Sequence, residues 1–185
     1  ALLCLQRNID ISKANEVKQV LTDVEFEFRD KKVFLNGRDV TERIKEPEVA
    51  SAGSVVATYP LVREDLVKKQ QEIGQKAIDE GKVVVAEGRD TGTVVFPKAK
   101  VKIFLIADVK VRAKRRLEQY IEKGIEMTLD QVLSETIQRD RLDTDRDVSP
   151  LVPAPDAVQV DTSNDEISDT FEKVISILRE KGLYD

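Results

Sequence analysis

Two short, mainly apolar runs constrain this chain more than any other feature of it. Residues 82–86 (KVVVA) and 101–106 (VKIFLI) lack the polar–apolar alternation of a half-exposed strand. A strand that reads apolar at successive positions is buried on both faces, as in parallel sheets covered by helices. A third short run, 157–160 (AVQV), follows. Helical patterns lie between and after these runs. Residues 109–123 have Asp108 as a cap and Gly124 as a stop, and 129–141 have Thr128 and Gln131 at capping-box spacing. Residues 165–181 have Ser163 and Glu166 at the same spacing, with Gly182 beyond. The back half therefore reads β–α–α–β–α, which predicts a parallel α/β core. Ligands of such cores bind beyond the carboxyl ends of the strands.

The front half follows another rhythm. Residues 1–8 read as the tail of a helix, and 12–21 as a short helix with Val17, Val20 and Leu21 on one side. Then Val24, Phe26 and Phe28 alternate with Glu25, Glu27 and Arg29, which predicts a half-buried strand. Asp30, Lys31 and Lys32 turn the chain into a second strand over 33–35, and Asn36-Gly37 signals a tight turn. This is a small antiparallel element. Helices are predicted for 41–57 and 60–80, with Pro47 and Pro60 in first turns and Gly81 as a stop.

Composition narrows the chemistry. The 185 residues suffice for one domain with a small insert. There is no histidine, so Ser-His and Cys-His nucleophiles and the usual histidine zinc sites are excluded. The single cysteine, Cys4, has no intrachain disulfide partner, which fits a reducing compartment. No apolar run approaches the ~20 residues that cross a bilayer, and no secretory leader pattern opens the sequence. A net charge of −5 argues against bulk nucleic-acid binding.

Four clusters could carry chemistry. The first, 87–93 (EGRDTGT), follows the first apolar run, with two glycines that permit close backbone approach. Its alternative reading is a turn with an Arg–Asp surface pair. The second, 112–116 (RAKRR), suits an anion through its guanidinium forks, or is a solvated helix face with Glu118 and Glu122 as local partners. The third, 139–147 (RDRLDTDRD), alternates charge across a helix end. Arg139 and Asp143 share a helical face there, with Arg146 one turn on. It reads as a phosphate-clamping lid or as a self-neutralising hinge. Ser54 and Arg63 form the fourth, and nothing local promotes them.

Taken together, ASAGSVVATYPLVRE (50–64), EGRDTGTVVFPKAKVKIFL (87–105) and RDRLDTDRDVSPLVPAPDAVQVDTS (139–163) resemble the bacterial cytidylate kinases of the nucleoside monophosphate kinase family. The resemblance runs in the family's order along essentially the whole chain. The region 24–40 is similar to the enlarged monophosphate-binding insert of these kinases. The implied fold is α/β, a P-loop-kinase-like parallel sheet with flanking helices plus a small antiparallel insert. The implied organisation is the end of a core helix and a short helix (1–21), monophosphate-binding insert and helices (22–80), core (81–128), lid (129–150) and a last core strand and helix (151–185).

The implied activity is phosphoryl transfer from ATP, with Mg2+, to CMP or dCMP, giving ADP and CDP or dCDP. By resemblance, Ser54, Arg63, Asp90 and Arg146 read the cytosine and Asp143 holds the ribose. Arg89 and Arg139 grip the acceptor phosphate, and Arg112 and Arg115 face the ATP phosphates. The implied catalytic set is Arg89, Arg139, Arg112 and Arg115, with no metal ligand among the side chains. A cytoplasmic monomer that binds no nucleic acid and no membrane is expected. One departure stands out: no GxxxxGK[ST] run is present, since Gly81-Lys82 is followed by valine. In the family that run lies ahead of the position matching Ala1. The resemblance therefore predicts a chain lacking its N-terminal P-loop segment, unstable by itself and unable to bind ATP productively. The alternative function is an inactive pyrimidine-nucleotide-binding fragment.

Overall fold

In the computed structural model, which describes residues 1–29 and 31–184, the change of period seen in the front half becomes a change of structure. Leu2–Gln6 (α1) and Ala14–Leu21 (α2) precede three antiparallel strands, Phe26–Arg29 (β1), Lys32–Leu35 (β2) and Arg38–Asp39 (β3). Asn36 and Gly37 both have positive φ (50° and 75°), as the two-residue hairpin between β2 and β3 demands. The Asn36 side chain locks this hairpin. Its Oδ1 accepts from the Glu25 amide at 2.9 Å and its Nδ2 donates to the Asp23 carbonyl at 2.6 Å. Asp30 of the predicted turn lies outside the described residues.

The expected half-burial of β1 does not occur. All four of its residues are exposed, Phe28 by 60%. β1 is an edge strand of a small sheet, and its four residues stay open to solvent. The predicted helix over 41–57 is also interrupted. A 3-10 turn, Arg43–Lys45, ends before Pro47–Val56 (α3), and then Pro60–Asp79 forms α4. Proline disfavours helical geometry in the residue before it, and Glu46 is accordingly extended at ψ 143°.

Residues 1–84 with 146–149 form one compact unit, and 85–145 with 150–185 form another. Cys4, Val17, Val20, Val56 and Val62 make one core cluster of the first unit. Leu2, Leu35, Val40 and Val49 make a second. The Tyr59 hydroxyl donates to the Ile11 carbonyl at 2.8 Å, so the helix-linking turns are joined by a polar group with a partner.

In the second unit Ile103–Ile106 (β4) pairs in parallel with Val158–Asp161 (β5), Ile103 opposite Val158. Between them run Val109–Glu122 (α5) and Leu129–Asp145 (α6), and Ile167–Glu180 (α7) follows. This is the β–α–α–β–α order predicted from the sequence. Ala113, Tyr120 and Val132 are the buried centre between α5 and α6. Asp108 caps α5, its carboxylate accepting from the Lys110 and Val111 amides. Thr128 and Gln131 form the expected reciprocal box on α6.

Three expectations for the back half of the chain are corrected. Residues 82–86 are not a strand: Val83 is 90% exposed and Val85 93%. Among the described residues no strand pairs with them, and apolar character cannot replace the matched donors and acceptors a strand needs. In β4, Leu105 and Ile106 are exposed for a related reason, since its sheet has two strands. Third, Ser163 does not cap α7. Glu166 and Asp169 form that box, while the Ser163 hydroxyl donates to Asp161 at 2.7 Å and accepts from the Asp108 amide at 2.9 Å. Among the described residues no helix is long and apolar enough to cross a membrane.

Candidate functional site

α6 extends four residues beyond its predicted end, and this extension carries Asp143. The side chain of Asp143 is only 11% exposed. Burying a carboxylate costs free energy unless cations and donors compensate it. Arg89 supplies the nearest compensation, its Nε 2.9 Å from Asp143 Oδ2. Arg139, one helical turn earlier, places its Nε 4.0 Å from the same oxygen. The i,i+4 spacing read from the sequence thus becomes a shared target. These three groups sum to one positive charge, and both guanidiniums remain partly exposed.

Arg89 reaches this point from a tight turn. Gly88 precedes it, and a Cβ at that position would come within 2.5 Å of the Thr91 hydroxyl. Asp90 is buried and starts a single π-helical turn, Thr91–Val95. Its carbonyl accepts from the Val94 amide at 2.8 Å and the Val95 amide at 3.2 Å. Such turns are uncommon and recur at functional sites.

The second arginine cluster is arranged differently. Arg112 forks onto Asp140, Nη1 to Oδ1 at 3.0 Å and Nη2 to Oδ2 at 2.7 Å, while its Nε donates to the Ala107 carbonyl. This is the planar bidentate geometry that guanidinium favours. Arg115 donates to the carbonyls of Thr162 and Asp165 at 2.6 and 2.8 Å, tying α5 to the loop after β5. Arg116 lies 4.7 Å above the Tyr120 ring. In this arrangement Arg112 and Arg115 hold protein groups.

The remaining predicted site residues lie in the first unit. Ser54 is half-buried on α3, and its hydroxyl donates to the Ala50 carbonyl at 3.2 Å. Arg63 is in the first turn of α4, with Nε buried. Arg146 follows α6 and donates from Nε to the Ser149 carbonyl at 2.6 Å. Ser149 is buried with φ +55°, so its carbonyl is aimed by a left-handed residue.

Sequence reasoning missed Lys102 and Thr162. Lys102 carried a signal, a cation inside the apolar run 101–106. Thr162 is buried beside the Arg115 guanidinium, and a hydroxyl in a loop gives no warning of that. At the carboxyl end of β5, Asp161 accepts from both the hydroxyl and the amide of Ser163, and these bonds hold its carboxyl below the usual range.

Residues 1–180 match the family model described as cytidylate kinase. The cytidylate kinase of Bacillus cereus strain ATCC 10987 is 42% identical over 178 residues, which is 94% of this chain and 77% of the relative. That of Bacillus subtilis strain 168 is 41% identical over 182 residues, 96% of this chain and 79% of the relative.

Proposed function

This chain belongs to the cytidylate kinase family, and from that premise we propose that its Arg89, Arg139 and Asp143 cluster receives the phosphate and ribose of CMP or dCMP. The reaction is transfer of the γ-phosphoryl group of ATP. A phosphate oxygen of CMP attacks the γ-phosphorus, the bond from that phosphorus to the β,γ-bridging oxygen breaks, and ADP leaves as CDP forms. Little covalent chemistry falls to the protein in such a transfer. Positioning and charge neutralisation do most of the work. A chain without histidine is suited to it.

The single observation that carries the reading is the convergence of two guanidiniums on one carboxylate. Cations in excess of the local anion attract a phosphate dianion, and guanidinium forks fit its oxygens. Asp143 is then the acceptor for a ribose hydroxyl. Ser54, Arg63, Asp90 and Arg146 supply donors and acceptors for the amino group, ring nitrogen and carbonyl of cytosine. Arg112 reaches the ATP phosphates by exchanging Asp140 for phosphate, with 129–150 as the moving lid. Arg115 borders the same phosphates. Mg2+ arrives on the ATP phosphates, the usual mode for an ion that keeps much of its water. The protein works in the cytoplasm as a monomer.

One sequence observation favours a second reading. The 185 residues contain no GxxxxGK[ST] run to cradle ATP phosphates, so a chain that binds CMP without transferring phosphate is the alternative. Calorimetric titration with CMP, paired with ADP release from ATP in the same preparation, separates the two. Binding with turnover supports the kinase. Binding without turnover supports the alternative, and no CMP binding contradicts both.

A further inference from the structure

Lysine is among the residues least often buried, yet the side chain of Lys102 is only 8% exposed. An ammonium is tolerated in such a place when acceptors surround it. Lys102 Nζ donates to the Pro97 carbonyl at 2.6 Å and to both oxygens of Asp156 at 2.8 and 2.9 Å. Three donors meet three acceptors. The ammonium in turn holds the Asp156 carboxyl below its ordinary range.

The stem of the side chain makes a second contact. A Cβ added at Gly92 would lie 3.4 Å from Lys102 Cδ, 3.5 Å from Cγ and 3.7 Å from Cβ. Lys102 therefore meets the segment after Arg89 and Asp90 at two places: the stem lies against Gly92, and the ammonium holds the carbonyl of Pro97. Between them runs the single π-helical turn, closed by the Phe96 amide on the Thr91 carbonyl at 2.7 Å. The other side of the clamp is fixed as well. The Val158 amide at the start of β5 donates to the carbonyl of Lys102 itself at 2.9 Å, and Asp156 stands two residues before it.

We propose that Lys102 is a positioning residue for nucleotide binding, clamping the 90–97 turn to the start of β5 and so fixing where Arg89 and Asp90 stand. This inference rests on the reading that those two side chains contact CMP. It assigns Lys102 no contact with substrate.

The test uses the full chain with Lys102→Met, which keeps the stem against Gly92 and removes the ammonium. Amide hydrogen exchange without nucleotide is the first readout. The Val94 and Phe96 amides should exchange about tenfold faster, and Val132 on α6 should not change. CMP affinity by calorimetry is the second. It should fall about tenfold, because Arg89 and Asp90 are no longer held where CMP needs them. Lys102→Arg should restore most of it, which a role in bulk packing alone would not predict. Asp156→Asn alters an exposed carboxylate, and should weaken CMP about twofold to threefold in a protein that folds whether or not Lys102→Met does. Wild-type exchange in Lys102→Met, or faster exchange with unchanged CMP affinity, would overturn the proposal. If the unsubstituted chain binds no CMP, the nucleotide reading has failed, and the exchange measurement alone decides whether Lys102 clamps the turn.

Discussion

Two groups of arginines, Arg89 with Arg139 and Arg112 with Arg115, are neutralised in different ways. Arg89 and Arg139 share the single carboxylate of Asp143. Arg112 has a carboxylate to itself, Asp140, in a bidentate pair, and Arg115 is held by two backbone carbonyls. The difference separates cations ready for the acceptor phosphate from cations that must first exchange a protein partner. A guanidinium matched one-to-one has little left to offer an anion. Two that share one acceptor retain a net attraction for phosphate, and both are open enough to solvent to meet it. Counting arginines in the sequence could not make this distinction, because RAKRR at 112–116 is the denser run.

The contrast can be broken or sharpened by substitution. The largest effect is expected from Arg89→Ala, which removes the closer cation: CMP affinity should fall by roughly thirtyfold to a hundredfold, with the KM for ATP little changed. Equal losses for both substrates would show that the cluster is not an acceptor site. Asp143→Ala should weaken CMP by about tenfold through the ribose, yet strengthen binding of inorganic phosphate because two cations lose their shared anion. Titrating both ligands into one variant gives opposite signs if the roles are right. Arg63→Ala should cost CMP several-fold and narrow the preference for CMP over UMP, since a cytosine-reading donor is lost. Finally Arg112→Ala should leave CMP affinity within twofold. Its effects should be a raised KM for ATP and a loss of stability of the order of 1 kcal/mol, after solvent screening of a pair about one-third exposed. A thermal melt and a CMP titration on that variant check both halves.

What the sequence revealed follows the range of the forces involved. Local signals were legible. Asp108, the Thr128–Gln131 box, the Asn36-Gly37 turn and the prolines at 47 and 60 act within a few residues, and all do so in the fold. The two apolar runs that frame the chain were read alike but fold differently. Residues 103–106 find a parallel partner 55 positions on, Ile103 opposite Val158, while 82–86 stay exposed. Pairing depends on what lies alongside, which periodicity does not encode. The same limit hid Lys102. Its charge within an apolar run was visible, but Pro97, Gly92 and Asp156 come together only in three dimensions. Of the candidate site, spacing alone predicted the shared face of Arg139 and Asp143. The family resemblance gave Arg89 and Asp143 to one nucleotide site, but neither it nor any local pattern foretold that Arg89 would reach this carboxylate from 54 residues away.

The carboxylate shared by Arg89 and Arg139 marks the proposed phosphate site. Calorimetric titration of CMP into the Arg89→Ala/Arg139→Ala double variant, beside Arg112→Ala, tests it most directly. Binding lost in the double variant and kept in Arg112→Ala is the predicted result. CMP binding that survives the double substitution, or that is lost equally in Arg112→Ala, would contradict it.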